Sequence, residues 1–199
     1  MRLGVFGGTF DPPHIGHSIL AAEACEQLQL DKVLWVLTQY PPHKIERRIT
    51  PVEDRLAMVE AALEDDPTFE VSRIDIDRPP PHFAVDTVSL LKKANPQASW
   101  FYLMGGDSLH DLPEWYQPQR FLSLCDGIGV MRRNGDNIDL PALERELPGI
   151  TAKIHWIDTP LLEISASFLR SQIRSGAMFR YYVLPKVYQI LRDRKLYQE

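Results

Sequence analysis

Cysteine is scarce: Cys25 and Cys125 are the only two in 199 residues, far apart and outside any C-x-x-C pair. That spacing builds neither a disulfide framework nor a thiolate metal site, so both read as buried small hydrophobes in a reducing compartment. No apolar run approaches the ~20 residues of a membrane-spanning helix. Arg2 is not followed by a long apolar stretch with a small-residue cleavage site, so no secretory signal is read. Both absences point to a cytoplasmic protein. Basic excess is lacking too: 22 Lys and Arg stand against 27 Asp and Glu, a formal charge of −5. A general nucleic-acid binder is basic, so neither nucleic acid nor a membrane is expected as a partner, and an anionic ligand must find a locally positive site. Neither G-x-x-x-x-G-K-[ST] nor G-x-G-x-x-G occurs, which excludes a Walker loop and the dinucleotide fingerprint. Repeats, low-complexity tracts and interdomain linkers are missing as well, so residues 1–199 read as one domain.

What is present is alternation. Strand-like apolar runs at 3–6, 32–37, 69–76, 99–104, 127–131 and 152–157 are separated by helical patterns. Those helices fall near 16–30, 53–63, 84–93, 140–146, 167–175 and 186–195. Runs such as "KVLWVL" are apolar throughout, as in strands covered on both faces. The expectation is an α/β fold, a Rossmann-like open, mainly parallel sheet with helices on both faces. Ligands of such sheets bind outside the carboxyl ends of the strands. The unusual residues cluster there: Gly7 to His17, Pro41 to Lys44, Gly105 to Asp107, and Arg132 with Arg133.

The first cluster, "GGTFDPPHIGH", sits where a strand hands over to a helix. Gly7 and Gly8 can take positive φ and bring backbone N–H groups close to a ligand. The following helix offers its positive end to an anion. His14 and His17, three residues apart, share one side of the first turn and gain charge easily beside phosphate. No third metal ligand accompanies them, so the pattern describes a polyphosphate site.

That block resembles the H-x-G-H signature of the nucleotidyltransferase superfamily, and its fuller form is similar to the bacterial nicotinate-nucleotide adenylyltransferases. Further blocks match in order: "PPHK" at 41–44, "DT" at 86–87, "GGD" at 105–107, "LPEWY" at 112–116 and "ISASFLR" at 164–170. The resemblance covers nearly the whole chain. It implies transfer of AMP from ATP to nicotinate mononucleotide, giving deamido-NAD and pyrophosphate, with Mg²⁺ bridging phosphates and no dedicated protein cage. Alternatives stay in view: another acceptor (nicotinamide mononucleotide, pantetheine phosphate), cytidylyl transfer, or nucleotide binding without turnover. A pantetheine enzyme usually reads P-G-T-F-D-P and T-N-G-H, whereas this chain has Gly7-Gly8 and His14-Ile15-Gly16-His17.

By resemblance, His17, His14 and Arg170 carry the catalysis. ATP is expected on Gly7, Gly8, Thr9, Phe10, His14, His17, Gly106, Asp107, Arg132, Ser165, Ser167 and Arg170. The mononucleotide is expected on Thr9, His43 and Lys44, with Trp115 as a flat surface and the N–H groups of Thr87 and Tyr116 on its carboxylate. Asp11 caps or orients the loop, because its charge repels phosphate. Ala166 stands where the family pattern has a serine. His82, His110 and His155 fall outside the blocks and read as structural or surface residues. Oligomeric state has no signature in the sequence.

Overall fold

The computed structural model describes residues 1–39, 49–131, 138–160 and 164–198. Among them, β1 (Arg2–Gly8), β2 (Lys32–Leu37), β3 (Phe69–Ser72), β4 (Ser99–Gly105), β5 (Gly127–Met131) and β6 (Ile154–Ile157) form one sheet. Its order is β3-β2-β1-β4-β5-β6, and all its pairings are parallel. Parallel neighbours need crossovers, and helices supply them. These are α1 (Ile15–Gln27), α2 (Val52–Leu63), α3 (Ala84–Ala94), α4 (Gly106–His110), α5 (Pro118–Leu124), α6 (Leu140–Glu146), α7 (Ala166–Arg174) and α8 (Pro185–Asp193).

Side chains alternate across the sheet and both faces are dry. Leu3, Val5, Trp100, Tyr102, Ile128 and Val130 pack into one core with Val85 and Val88 of α3 and Phe121 of α5. Phe6, Val33, Trp35, Phe101 and Leu103 face the other, under Leu20, Ala21 and Ala24 of α1 and Val59 of α2. Strands covered on both sides must be apolar throughout, and this is what made them legible. A third cluster seats α7 and α8 on Met58 of α2.

Several boundaries differ from the sequence reading. The strand read over 69–76 stops at Ser72, because Ile76 and Asp77 turn back onto the Arg73 carbonyl at 2.8 and 2.9 Å. The run at 152–157 begins with a 3-10 turn, Thr151–Lys153, and only then enters the sheet. Helix α1 ends at Gln27, and Gln29 at φ 51° closes it in the left-handed conformation that glycine usually supplies. Two helices, α4 and α5, have no counterpart in the sequence reading. With five and seven residues they are too short to display a helical period.

Candidate active site

The strand order reverses direction between β1 and β4, which opens a crevice at their carboxyl ends. A cleft of about 490 Å³ occupies it. That size suits a small-molecule ligand.

Gly7 and Gly8 end β1, and neither has positive φ, so the turn does not use them as expected. Their role is clearance. A Cβ on Gly7 would lie 2.6 Å from the Tyr102 hydroxyl, and one on Gly8 would lie 2.8 Å from the Phe10 ring. The left-handed residue of the loop is Phe10 itself, at φ 46°. Phe10 lines the cleft but is 2% exposed, with its ring stacked on Trp35 at 5.0 Å and edge-on to His17 at 5.1 Å. It anchors the loop in the core while its neighbours Thr9 and Asp11 line the cleft.

His14 is the N-cap of α1 and His17 lies on the first turn; both line the cleft, and their rings stack with centroids 3.6 Å apart. The His14 backbone N–H donates to His17 Nδ1 at 3.1 Å. In the neutral ring this leaves the proton on Nε2, which makes that edge of His17 a hydrogen-bond donor. Thr9 also lines the cleft. Behind the loop stands Arg55 of α2, 1% exposed, which donates to the carbonyls of Thr9 (2.9 Å), Thr38 (2.9 Å), Gln39 (3.1 Å) and Thr50 (2.8 Å). One guanidinium therefore fixes the ends of β1 and β2 and the entry to α2. Sequence reasoning missed Arg55 because it occupies a helix among other charged residues, where arginine is ordinarily solvated.

Helix α7 supplies the facing wall of the cleft. Ser165 is its N-cap and accepts from the Phe168 N–H at 3.1 Å. Arg170, 8% exposed, donates to the Ser167 hydroxyl at 2.9 Å and to the Asp11 carbonyl. Ser165, Ala166, Ser167 and Arg170 all line the cleft facing the α1 entry. Two helix N-termini, two imidazoles and a guanidinium thus converge on one volume, alongside the carboxylates of Asp11 and Asp107.

At the other end the walls are aromatic. Tyr116, half exposed, stacks on Phe83 with centroids 4.2 Å apart. Trp115 lines the cleft and also packs edge-on against Tyr102 (6.0 Å), so its wall and core roles coexist. Thr87 requires a correction. It lies behind the main cleft, its N–H donates to the Phe83 carbonyl at 3.2 Å, and its hydroxyl donates to buried Asp75 at 2.7 Å. As the fourth residue of α3 its N–H is already engaged in the helix. The N–H groups without intrahelical acceptors belong to the first residues of α3, and Ala84, the first, lines the cleft. His82, read as a structural or surface residue, is buried at 4% exposure with its ring Nε2 3.2 Å from the Arg78 carbonyl, and it also lines the cleft. Arg78 also holds Asp75, at 3.0 Å, and the Pro81 carbonyl, at 2.8 Å, which shapes the loop before α3. His110 is exposed and is not among the cleft-lining residues, and His155 packs on Phe101.

Gly106 is buried at the start of α4, and the lining residues are its neighbours Gly105, Asp107 and Ser108. His43, Lys44 and Arg132 lie outside the described residues. Among the described residues no group of three or more His, Cys, Asp or Glu is placed to hold a metal ion, and no helix is long and apolar enough to cross a membrane. Cys125 is buried, and burial pushes its thiol up to about 12. Cys25 is only half-buried, which corrects the reading of it as a core residue, and its Sγ contacts the Leu30 carbonyl at 3.2 Å.

The cytidylyltransferase-like family matches residues 5–172. A Thermomicrobium roseum protein named "probable nicotinate-nucleotide adenylyltransferase" is 42% identical over 197 residues, covering 99% of this chain and 92% of that one. A Synechococcus protein of the same name is 40% identical over 200 residues, covering 98% and 94%. In fold, the chain is similar to Plasmodium falciparum nicotinic acid mononucleotide adenylyltransferase complexed with NaAD. The TM-score is 0.81 at 16% identity, over 98% of this chain and 97% of that one.

Proposed function

We infer the working of this site from the premise that the chain belongs to the nicotinate-nucleotide adenylyltransferases of the cytidylyltransferase-like family. The reaction is transfer of AMP from ATP to nicotinate mononucleotide, giving deamido-NAD and pyrophosphate in NAD synthesis. A phosphate oxygen of the mononucleotide attacks the α-phosphorus of ATP, and the bond from that phosphorus to the pyrophosphate oxygen breaks. The attacking phosphate is already ionised at neutral pH, so no protein base is needed. Catalysis reduces to alignment and to stabilising charge on the phosphoryl oxygens.

One observation carries the assignment of roles: the stacked His14–His17 pair and the Ser167–Arg170 pair face one cleft from two helix N-termini. His17 donates from Nε2 to the α-phosphoryl oxygens, with His14 stacked against it and Thr9 where donor and acceptor meet. Ser165, Ser167 and Arg170 hold the β- and γ-phosphates. Gly7 and Gly8 leave room for the nucleotide, Phe10 braces their loop, and the Gly105–Gly106 pair at the β4 end lets the nucleoside approach closely. Asp107 accepts from the ribose, and Arg132 assists ATP. His43 and Lys44 take the mononucleotide phosphate.

Phe83, Trp115 and Tyr116 form the box for the pyridine ring. Its carboxylate sits at the start of α3, on the Ala84 N–H, with the Tyr116 N–H opposite; the α3 dipole favours an acid there over an amide. Among the described residues no group of three or more His, Cys, Asp or Glu is placed to cage a metal, so Mg²⁺ would be held mainly by the nucleotide's phosphates and by water and would supply neutralisation of phosphate charge.

The test is pyrophosphate release from ATP or CTP with nicotinate mononucleotide, nicotinamide mononucleotide and pantetheine phosphate. ATP with the acid mononucleotide is expected to be fastest. Faster turnover of the amide would sink the carboxylate assignment.

A further inference from the structure

Tyr197, in the turn after α8, reaches across the fold to the phosphate-binding loop. Its hydroxyl donates to Asp11 Oδ1 at 2.6 Å, 186 residues away in sequence. Tyr197 sits at φ 62°, a left-handed conformation that an aromatic side chain rarely adopts. Such strain persists only where the surroundings enforce it. They do here: α8 packs on α2, Arg194 meets Asp54 at 2.7 Å, and Thr50 and Arg55 flank the phenol.

The other side of Asp11 explains why this matters. The carboxylate is 5% exposed, and its Oδ2 is 3.9 Å from Arg170 Nη1, at the outer limit of an ion pair. The guanidinium is instead oriented by the Asp11 carbonyl and the Ser167 hydroxyl. Arginine and a carboxylate prefer two parallel hydrogen bonds. A buried carboxylate deprived of a donor seeks another, and Arg170 is the adjacent cation. A closed Asp11–Arg170 pair would occupy the group that meets the donor's phosphates.

We propose that Tyr197 is a positioning residue for the nucleotide donor. It anchors Asp11 on Oδ1, keeps the carboxylate from closing onto Arg170, and so leaves the guanidinium available to a polyphosphate. This rests on the reading that Arg170 binds the phosphates of ATP.

The experiment is Tyr197→Phe, which keeps the ring and removes the donor. The KM for ATP rises about tenfold, while kcat and the KM for nicotinate mononucleotide stay within threefold. Calorimetric titration with inorganic pyrophosphate shows a matching rise in Kd. In the Asp11→Asn background, where no carboxylate can pair with Arg170, adding Tyr197→Phe changes the pyrophosphate Kd by less than threefold. This double variant carries the test if the single one does not fold. Pyrophosphate binding unchanged in Tyr197→Phe, or an equal loss on the Asp11→Asn background, overturns the proposal. A uniform fall in kcat and both affinities, tracking a lower Tm, overturns it too. If wild-type protein releases no pyrophosphate from ATP, the functional reading falls, and the pyrophosphate titration still decides the role of Tyr197.

Discussion

Replacing Gly7 with alanine tests whether the end of β1 is shaped by clearance. The added Cβ would lie 2.6 Å from the Tyr102 hydroxyl, while the next atom, Tyr102 Cζ, would be 3.5 Å away. Ordinary contact begins at 3.4 Å, so the overlap is about 0.8 Å and involves one oxygen. Tyr102 cannot easily yield. It is 8% exposed on β4, with Phe121 edge-on at 5.0 Å and Trp115 at 6.0 Å. Overpacking of this kind costs ~1–3 kcal/mol. For a chain of this length each kcal/mol lowers Tm by roughly 2–4 °C. Gly7→Ala is therefore expected to lose about 4–8 °C for a ~2 kcal/mol cost. In Tyr102→Phe the overlapping oxygen is gone and the same methyl finds ordinary contact. Most of the loss should vanish there, leaving a coupling of at least ~1 kcal/mol in the double-mutant cycle. Thermal and urea unfolding of the four proteins measure it. An equal loss in both backgrounds would refute the clearance argument and locate the strain in the backbone.

His17→Ala should lower kcat at least ~10²-fold with little change in KM, because a donor to developing phosphoryl charge acts mainly in the transition state; steady-state kinetics showing unchanged turnover would remove His17 from the mechanism. Arg55→Met should destabilise by ~3–5 kcal/mol, because four carbonyls lose one buried cationic donor; a urea midpoint equal to wild type would show that water replaces it. Cys125 should resist iodoacetamide at pH 8 in the folded protein. Burial favours its neutral thiol and raises it from 9.0 to about 12, so thiolate is scarce until pH rises well above 9 or the chain unfolds. Mass spectrometry showing rapid native labelling would contradict that burial.

The strands and most helices are legible in the order of residues alone, because strands buried on both faces must be continuously apolar and long helices must carry a periodic stripe. The same order singles out His14, His17, Ser165, Ser167 and Arg170, which belong to short local motifs at strand and helix ends and line one cleft. Backbone donors were beyond it. The free N–H at the start of α3 depends on where that helix begins, so Thr87 was named where Ala84 lines the cleft. The glycines were noticed but misread: what Gly7 needs is room for a hydroxyl on β4, a contact set by strand order. Arg55 and Tyr197 were invisible, because four carbonyls on three segments and a carboxylate 186 residues distant become partners only when the chain is closed. Local chemistry is written in neighbouring residues; the burial that turns an ordinary arginine or tyrosine into part of a site is a property of the tertiary structure alone.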